Sequence, residues 1–303
     1  MKYYKFKTFT TSYYFPKLNS SQQYMYGLYS AYGGKLSKLY WWLFRKSGLV
    51  RFITSVDENK LCFPYSMIKK ADGNDTVMSF NMGSPGVEQK ISILGYDNTL
   101  GIPFFAKFSQ KERAVVLTRN ELAVYRTLTG TGLTPKLLKD IKGDGFVYMK
   151  SEYIKGSRPK EKTLTENILQ LCIVLKNYHL SDCMENADGL KMSLSHGDFC
   201  PWNILVSENK TNIIDWELAE DRPLGYDLFT YICQVSALFE PNKPLLQAAD
   251  ENIKMVKRYF SASGVEDYIP YLLYFAKSKM EYETDKDNKI LMDKYSELYS
   301  MVK

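Results

Sequence analysis

One stretch limits what this chain can fold into more than any other: Leu194-Ser195-His196-Gly197-Asp198-Phe199-Cys200-Pro201-Trp202-Asn203-Ile204-Leu205-Val206, followed by Asn212-Ile213-Ile214-Asp215-Trp216-Glu217. Ile204-Leu205-Val206 and Ile213-Ile214 are short apolar runs, and Glu208-Asn209-Lys210 between them are turn formers. The pattern predicts a hairpin of two buried strands. It holds Asp198 and Asn203 in the loop entering the first strand and Asp215 at the exit of the second. Two carboxylates and an amide on one rigid frame suit a hard divalent cation, which takes oxygen ligands. Asp198 lies five residues before Asn203, far enough upstream to face an acceptor hydroxyl rather than the cation. The plainer alternative is a surface turn rich in Asp and Asn.

Phosphoryl transfer needs that division of labour: the transferred group carries spread negative charge, so positioning and charge neutralisation do most of the catalysis. A carboxylate then orients the attacking hydroxyl and takes its proton. His196-Gly197-Asp198, four further residues, Asn203 and then Ile214-Asp215-Trp216 resemble the signature of the aminoglycoside phosphotransferase and choline kinase group of small-molecule kinases. The resemblance spans roughly residues 77–260 and is sharp from 195 to 228. It implies a two-lobed, protein-kinase-like α+β fold with a small β-rich N-lobe and a larger, mainly helical C-lobe. It implies Asp198 as catalytic base, with Asn203 and Asp215 as ligands of Mg²⁺. Asp215 stands where protein kinases have the Asp of Asp-Phe-Gly, with Trp216 and Glu217 replacing Phe and Gly. ATP is the implied donor, with GTP as an alternative. The implied acceptor is a hydroxyl of an aminoglycoside-, choline- or sugar-like molecule. His196 and Asp227 are read as supports of the loop, and Glu217 as a further contact beside the metal. Asp227, heading a helix from Leu228 to Leu238, is placed to accept backbone N–H bonds.

Upstream, Val77 to Phe80 and Val87 to Leu94 read as strands around a loop with Gly83, Ser84 and Gly86. In a kinase such a loop covers the nucleotide phosphates with backbone N–H groups. Pro85 removes one donor, and an ordinary hairpin turn reads as well. Lys107 is a charge within the apolar strand Phe104 to Phe108, and a buried lysine needs a partner. The resemblance pairs it with Glu121 on the following helix, to hold the α and β phosphates. A solvated edge lysine is the alternative, and Lys111 and Glu112 are competing candidates read as turn residues. Lys136 to Ile141 and Gly145 to Met149 read as a hairpin. Ser151 to Gly156 resembles the linker between kinase lobes, with Glu152 and Tyr153 beside the base. The domain reading is therefore an atypical N-terminal extension (1–75), a nucleotide-binding N-lobe (76–153) and a catalytic and acceptor-binding C-lobe (154–303).

In the extension, residues 33–48 read as a basic amphipathic helix. Burial against the body is preferred to a membrane surface, so peripheral membrane contact stays an alternative. Strands are expected from Arg51 to Val56 and from Leu61 to Ile68, and Ala71 to Asp75 reads as a polar boundary. In the C-lobe, helices are expected over Thr163 to Leu180 (closed by His179), Leu245 to Phe260, Tyr268 to Met280 and Lys289 to Met301. Glu281, Glu283, Asp285 and Asp287 form an acidic cluster that could meet a cationic acceptor, though a solvated turn is preferred. Lys277 and Lys279 weaken its field.

A net charge of +6 without a dense Lys/Arg run suits a nucleotide and argues against nucleic acid as partner. With two His and five unclustered Cys, a zinc site is not expected and the thiols are read as free. No apolar run is long enough to span a membrane, and a cytoplasmic location is expected. Two further readings stay open. One is a lipopolysaccharide, glycan or protein kinase docking through the N-terminal region. The other is a nucleotide-binding pseudokinase of weak or no activity.

Overall fold

The computed structural model describes residues 1–7, 10–16, 18, 22, 24–25, 55–160, 162–208 and 210–303. The helix read at residues 33–48 and the start of the strand read from Arg51 lie outside the described residues. Two compact units emerge: Met1–Leu122 with Pro135–Tyr153, and Ala123–Thr134 with Ile154–Lys303.

Among the described residues, the first unit is built on an eight-stranded sheet. Its strands are β1 (Lys2–Lys7), β2 (Ser12–Pro16), β3 (Ser55–Asp57), β4 (Thr76–Asn81), β5 (Lys90–Asp97), β6 (Ile102–Ser109), β7 (Leu137–Gly143) and β8 (Phe146–Glu152). The order across the sheet is β3-β1-β2-β4-β5-β6-β8-β7, and the pairs are antiparallel. Strand periodicity sorts the residues of β6 onto two faces. Phe104, Ala106 and Phe108 join Met78, Phe80, Ile93 and Tyr148 in one buried core, and Lys107 lies on the other face. The N-terminal residues lengthen this sheet, since Tyr13 and Tyr14 of β2 pair with Asn81 and Phe80 of β4.

Residues 61–68, read as a strand, instead lead into helix α1 (Tyr65–Asp72). Leu61, Phe63 and Tyr65 alternate like a strand, but Ile68, Ala71 and Asp72 are buried at helical spacing. Gly73 closes the helix in the left-handed region (φ 75°), its N–H bonded to Lys69 O. Asp72, read as part of a polar boundary, is fully buried. Its Oδ1 accepts from Lys150 Nζ at 2.8 Å and from Tyr148 OH at 2.7 Å. Lys150 also reaches Asp97 Oδ2 at 2.6 Å. Helix α2 (Glu112–Thr127) starts at Glu112, which was read as a turn residue.

The second unit is mainly helical. It holds α3 (Glu166–Leu175), α4 (Tyr226–Phe239), α5 (Leu245–Glu251), α6 (Ile253–Ser261), α7 (Ile269–Asp285) and α8 (Lys289–Val302). Thr165 caps α3 by accepting Ile168 N–H. That helix ends at Leu175, short of His179. The single helix read over 245–260 breaks at Asn252, which caps α6 and donates its Nδ2 to Ala248 O. Pro270 falls in the first turn of α7, where a missing N–H costs nothing. Phe229 joins α4 to α6 and α7 through Phe260 and Phe275, ring centroids 5.9 and 5.6 Å away. Two small ribbons carry the loops: β9 (Met192–Ser195) pairs with β12 (Glu220–Pro223), and β10 (Ile204–Val206) with β11 (Thr211–Ile213). The five cysteines are free thiols. Among the described residues no helix is long and apolar enough to cross a membrane.

Candidate active site

The loop leaving β9 is fixed first by its backbone. Asp227, in the first turn of α4, accepts from Ser195 Oγ (2.7 Å), His196 N (2.7 Å) and Gly197 N (3.1 Å). These are charge-assisted bonds, stronger than neutral ones, and they go to the loop rather than to the helix's own N–H groups. Gly197 has φ 82°. A Cβ there would lie 2.5 Å from Leu218 O, a backbone atom that cannot swing aside. Gly197→Ala is therefore expected to lower stability by more than the ~1–2 kcal/mol of a left-handed residue alone, read as a fall in the unfolding midpoint. His196 is fully buried. Its Nδ1 accepts Asp198 N–H at 3.2 Å, which places the ring proton on Nε2 for donation to Ile214 O at 2.9 Å. His196 thus ties the loop to the end of the β10–β11 hairpin, with Trp216 packed 4.7 Å from its ring.

Asp198 is half-buried and both carboxylate oxygens are held. Oδ2 accepts from Asn203 Nδ2 at 3.0 Å and from Trp202 Nε1 at 3.3 Å, and Oδ1 accepts from Gln234 Nε2 at 3.0 Å. Asn203 Nδ2 also meets Asp198 O at 2.9 Å. Both partners of that nitrogen are acceptors, so the amide orientation is determined and Oδ1 is turned away from Asp198. Ile214 N donates to Asn203 O at 2.9 Å, which puts Asp215 one residue beyond the cross-strand neighbour of Asn203. Asp215 is left-handed, φ 69° and ψ 50°. Such a conformation costs a non-glycine residue on the order of 1–3 kcal/mol and gathers at functional positions. Glu217 sits half-buried in the single turn Trp216–Leu218 that follows.

An amide oxygen and a carboxylate fit a hard cation such as Mg²⁺, which takes one or two protein ligands and completes its shell from phosphates and water. Among the described residues no three His, Cys, Asp or Glu side chains gather to hold a metal by themselves. Cys200 is buried beside Asp198. Burial first, and the Asp198 charge next, push its thiol far above the usual range, so it is no nucleophile near neutrality.

Gln234 was not singled out from sequence, though a signal existed. It follows Asp227 by seven residues, two helical turns, so both project from one face of α4.

In the first unit, Lys107 and Glu121 are both buried, with Nζ 2.6 Å from Oε2. The competing pair is elsewhere engaged: exposed Lys111 donates to Gly86 O at 2.6 Å, and Glu112 begins α2. In the β4–β5 loop Gly83 has φ 67°, and its N–H is bonded to Asn81 Oδ1 at 3.0 Å. With Pro85 also lacking a donor, this loop offers fewer backbone N–H groups than a full glycine-rich loop would. Ser84 and Gly86 lie in this loop, and Gly86 (φ 156°) has open space where a Cβ would be. Glu152 ends β8, its N–H bonded to Lys136 O at 2.8 Å. Tyr153 packs against Tyr24 at 5.3 Å, and Tyr24 OH donates to Gly95 O at 2.8 Å.

The acidic cluster is only in part a solvated turn: Glu281, Glu283 and Asp285 belong to α7, and exposed Asp287 lies in the turn that follows it. Glu283 is buried, bonded to Asn288 Nδ2 at 2.9 Å. Lys279, counted with the surface charge, is buried too.

Residues 179–251, which contain the loop, the hairpin and the whole of α4, match the model of a family described as the phosphotransferase enzyme family. A probable choline kinase 3 of Arabidopsis thaliana is 29% identical over 84 residues, 25% of this chain and 24% of that protein. The chain thus spans about a quarter of the length of that curated relative. Two solved structures overlay on the chain at 12% identity. An amicoumacin kinase in complex with AMP-PNP, Ca²⁺ and Ami has a TM-score of 0.47, covering 70% of this chain and 86% of its own. A Plasmodium vivax ethanolamine kinase has a TM-score of 0.49, covering 91% and 96%.

Proposed function

We propose that this chain is a kinase that moves the γ-phosphoryl group of ATP to a hydroxyl of a small molecule. The observation that carries the reading is Asp198: a carboxylate held at both oxygens, with one of its donors, Asn203, set beside a strained Asp215. The match over residues 179–251 supports it. In this reading the acceptor O–H donates to Asp198. As the new O–P bond forms, the proton passes to that carboxylate, and the bond from γ-phosphorus to the bridging oxygen breaks to release ADP. Asn203 Oδ1 and Asp215 would hold Mg²⁺, whose chemistry is to neutralise charge on the phosphate oxygens. Lys107, held by Glu121, binds the α and β phosphates, and Glu152 and Tyr153 lie beside the base. His196, Asp227 and Glu217 keep the loop and the Asp215 turn in place.

The decisive experiment is ADP release by the full chain with ATP and Mg²⁺, over a panel of aminoglycosides, choline-like alcohols and sugars. ADP release that depends on one acceptor class is expected, and none from any class would overturn the reading. A second reading, nucleotide binding without transfer, draws on the engaged Gly83 N–H. It predicts ATP binding with no acceptor-dependent turnover. Asp215→Ala is expected to weaken Mg²⁺-dependent ATP binding by at least about 10- to 100-fold, the loss seen when even a metal ligand's supporting partner is removed. Calorimetric titration with and without a chelator checks this: equal affinity for the variant and the parent chain would remove Asp215 from the metal site.

A further inference from the structure

Gly197 is held from two sides by opposite charges. Its N–H donates to Asp227 Oδ1 at 3.1 Å. Its carbonyl accepts from Lys279 Nζ of α7 at 3.3 Å. Lys279 is 4% exposed, and among the described residues no carboxylate lies within ion-pair distance of it. An ammonium is costly to bury without a carboxylate partner. The compensation on view is the Gly197 carbonyl and two ring faces, Tyr226 at 5.4 Å and Tyr282 at 5.8 Å. A chain that needed only packing here would place Met or Leu at this position.

Gly197 is also the glycine that directly precedes Asp198. At φ 82° it has the conformational freedom of glycine, and the next residue carries the Asp198 carboxylate. Rotation of the Gly197–Asp198 peptide would swing that carboxylate off its bonds to Asn203, Trp202 and Gln234. A cation on its C=O and the His196 Nδ1 acceptor on its Asp198 N–H oppose this rotation, while Asp227 fixes the preceding peptide through the Gly197 N–H; charge-assisted bonds resist it better than neutral ones.

We propose that Lys279 is a positioning residue: from α7 it clamps the Gly197 carbonyl, so that Asp198 is presented to the acceptor in one orientation. The proposal rests on the reading of Asp198 as the base. Other groups around Lys279 are Cys200 of the loop, Cys233 of α4, and Glu283 one turn along α7. Glu283 is occupied by Asn288.

The test compares Lys279→Met, which keeps the stem and removes the charge, with Lys279→Gln and Lys279→Arg in the full chain. Exposed Lys277→Met is the control, and the parent chain and Asp198→Asn run alongside. Misplacement of a catalytic group by about 1 Å costs on the order of 100-fold. Lys279→Met and Lys279→Gln are expected to lower kcat by about 10- to 100-fold with KM for ATP within about twofold. Lys279→Arg should recover most of kcat, and Lys277→Met should match the parent. Hydrogen exchange over residues 194–206 provides a readout independent of turnover. It should quicken in Lys279→Met and Lys279→Gln but not in Lys279→Arg. Should Lys279→Met fail to fold, Lys279→Gln and Lys279→Arg decide. The clamp is overturned if the neutral variants keep both the parent kcat and its exchange rate, or if Lys279→Arg is as slow as they are. Failure of the base reading looks different: the parent chain transfers nothing, or Asp198→Asn equals it, and the exchange measurement then still decides the clamp.

Discussion

Asp198→Asn is expected to lower turnover by about 10²- to 10⁴-fold while leaving ATP affinity nearly unchanged. At about 1.36 kcal/mol per tenfold, that is roughly 3–5 kcal/mol of transition-state stabilisation. The loss has two sources at this site. An amide cannot take the acceptor's proton. It also has only one acceptor oxygen, whereas Asp198 offers Oδ1 to Gln234 and Oδ2 to Asn203 and Trp202. Whichever way the new amide turns, its NH₂ faces an N–H donor, so one side of the grip is lost. Nucleotide affinity survives because the reading gives the phosphates to Lys107 and the metal to Asn203 and Asp215. Steady-state kinetics with the best acceptor, paired with an ATP titration, checks both halves. Turnover equal to that of the parent chain would remove Asp198 from the proton transfer.

What was readable from sequence here is what short spacing encodes. The β10–β11 hairpin is announced by two apolar runs around a polar turn, and Asp198, Asn203 and Asp215 sit within 18 residues of one another. Lys107 was conspicuous as a charge in an apolar strand, and its ion pair with Glu121 spans only one strand-to-helix step. The β9–β12 ribbon was missed because its four-residue strands carry little periodicity, and Glu220, Asp221 and Arg222 supply no apolar alternation. Helix α1 was misread because residues 61–65 alternate like a strand and Pro64 hides the start of a helix. Lys279 and Gln234 escaped for a different reason. Each is a polar residue in an otherwise ordinary helical stripe; spacing from Asp227 puts Gln234 on the same helix face, but that each meets the loop 82 or 36 positions upstream is set by tertiary packing. The extended sheet was equally unreadable, since pairing of β2 with β4 crosses more than 60 residues.

Lys150→Met is expected to destabilise the sheet-bearing unit by about 3–5 kcal/mol, the usual cost of removing one partner of a buried ion pair. Lys150 is 1% exposed and lies between Asp72 and Asp97, both 0% exposed. It bonds them at 2.8 and 2.6 Å, and its ammonium lies 4.1 Å from the centroid of the Phe104 ring. Methionine fills the same channel, so the loss comes from the carboxylates left behind and not from a cavity. Tyr148 still donates to Asp72, and Asn74 and two backbone N–H groups still donate to Asp97, which keeps the penalty below that of two bare buried ions. The pH dependence gives the sign. Burial raises the Asp97 carboxyl, but hydrogen bonds from Lys150, Asn74 and Leu100 N–H outweigh burial and hold it below the usual range. A depressed carboxyl contributes stability above its unfolded value near ~3.9, and that contribution is lost as pH falls through the folded pKa. Without Lys150 the carboxyl rises, and its protonated form tolerates burial. The gap between the parent chain and Lys150→Met should therefore be widest near pH 7 and narrow as pH approaches about 4. Adding Asp72→Asn and Asp97→Asn to Lys150→Met should recover part of the loss at pH 7, because no charge is then left unpaired. Urea denaturation at the two pH values, read through hydrogen exchange in β8, measures it. A loss under about 1 kcal/mol at pH 7 would mean that water reaches the two carboxylates and that the buried triad is not what holds α1 against the sheet.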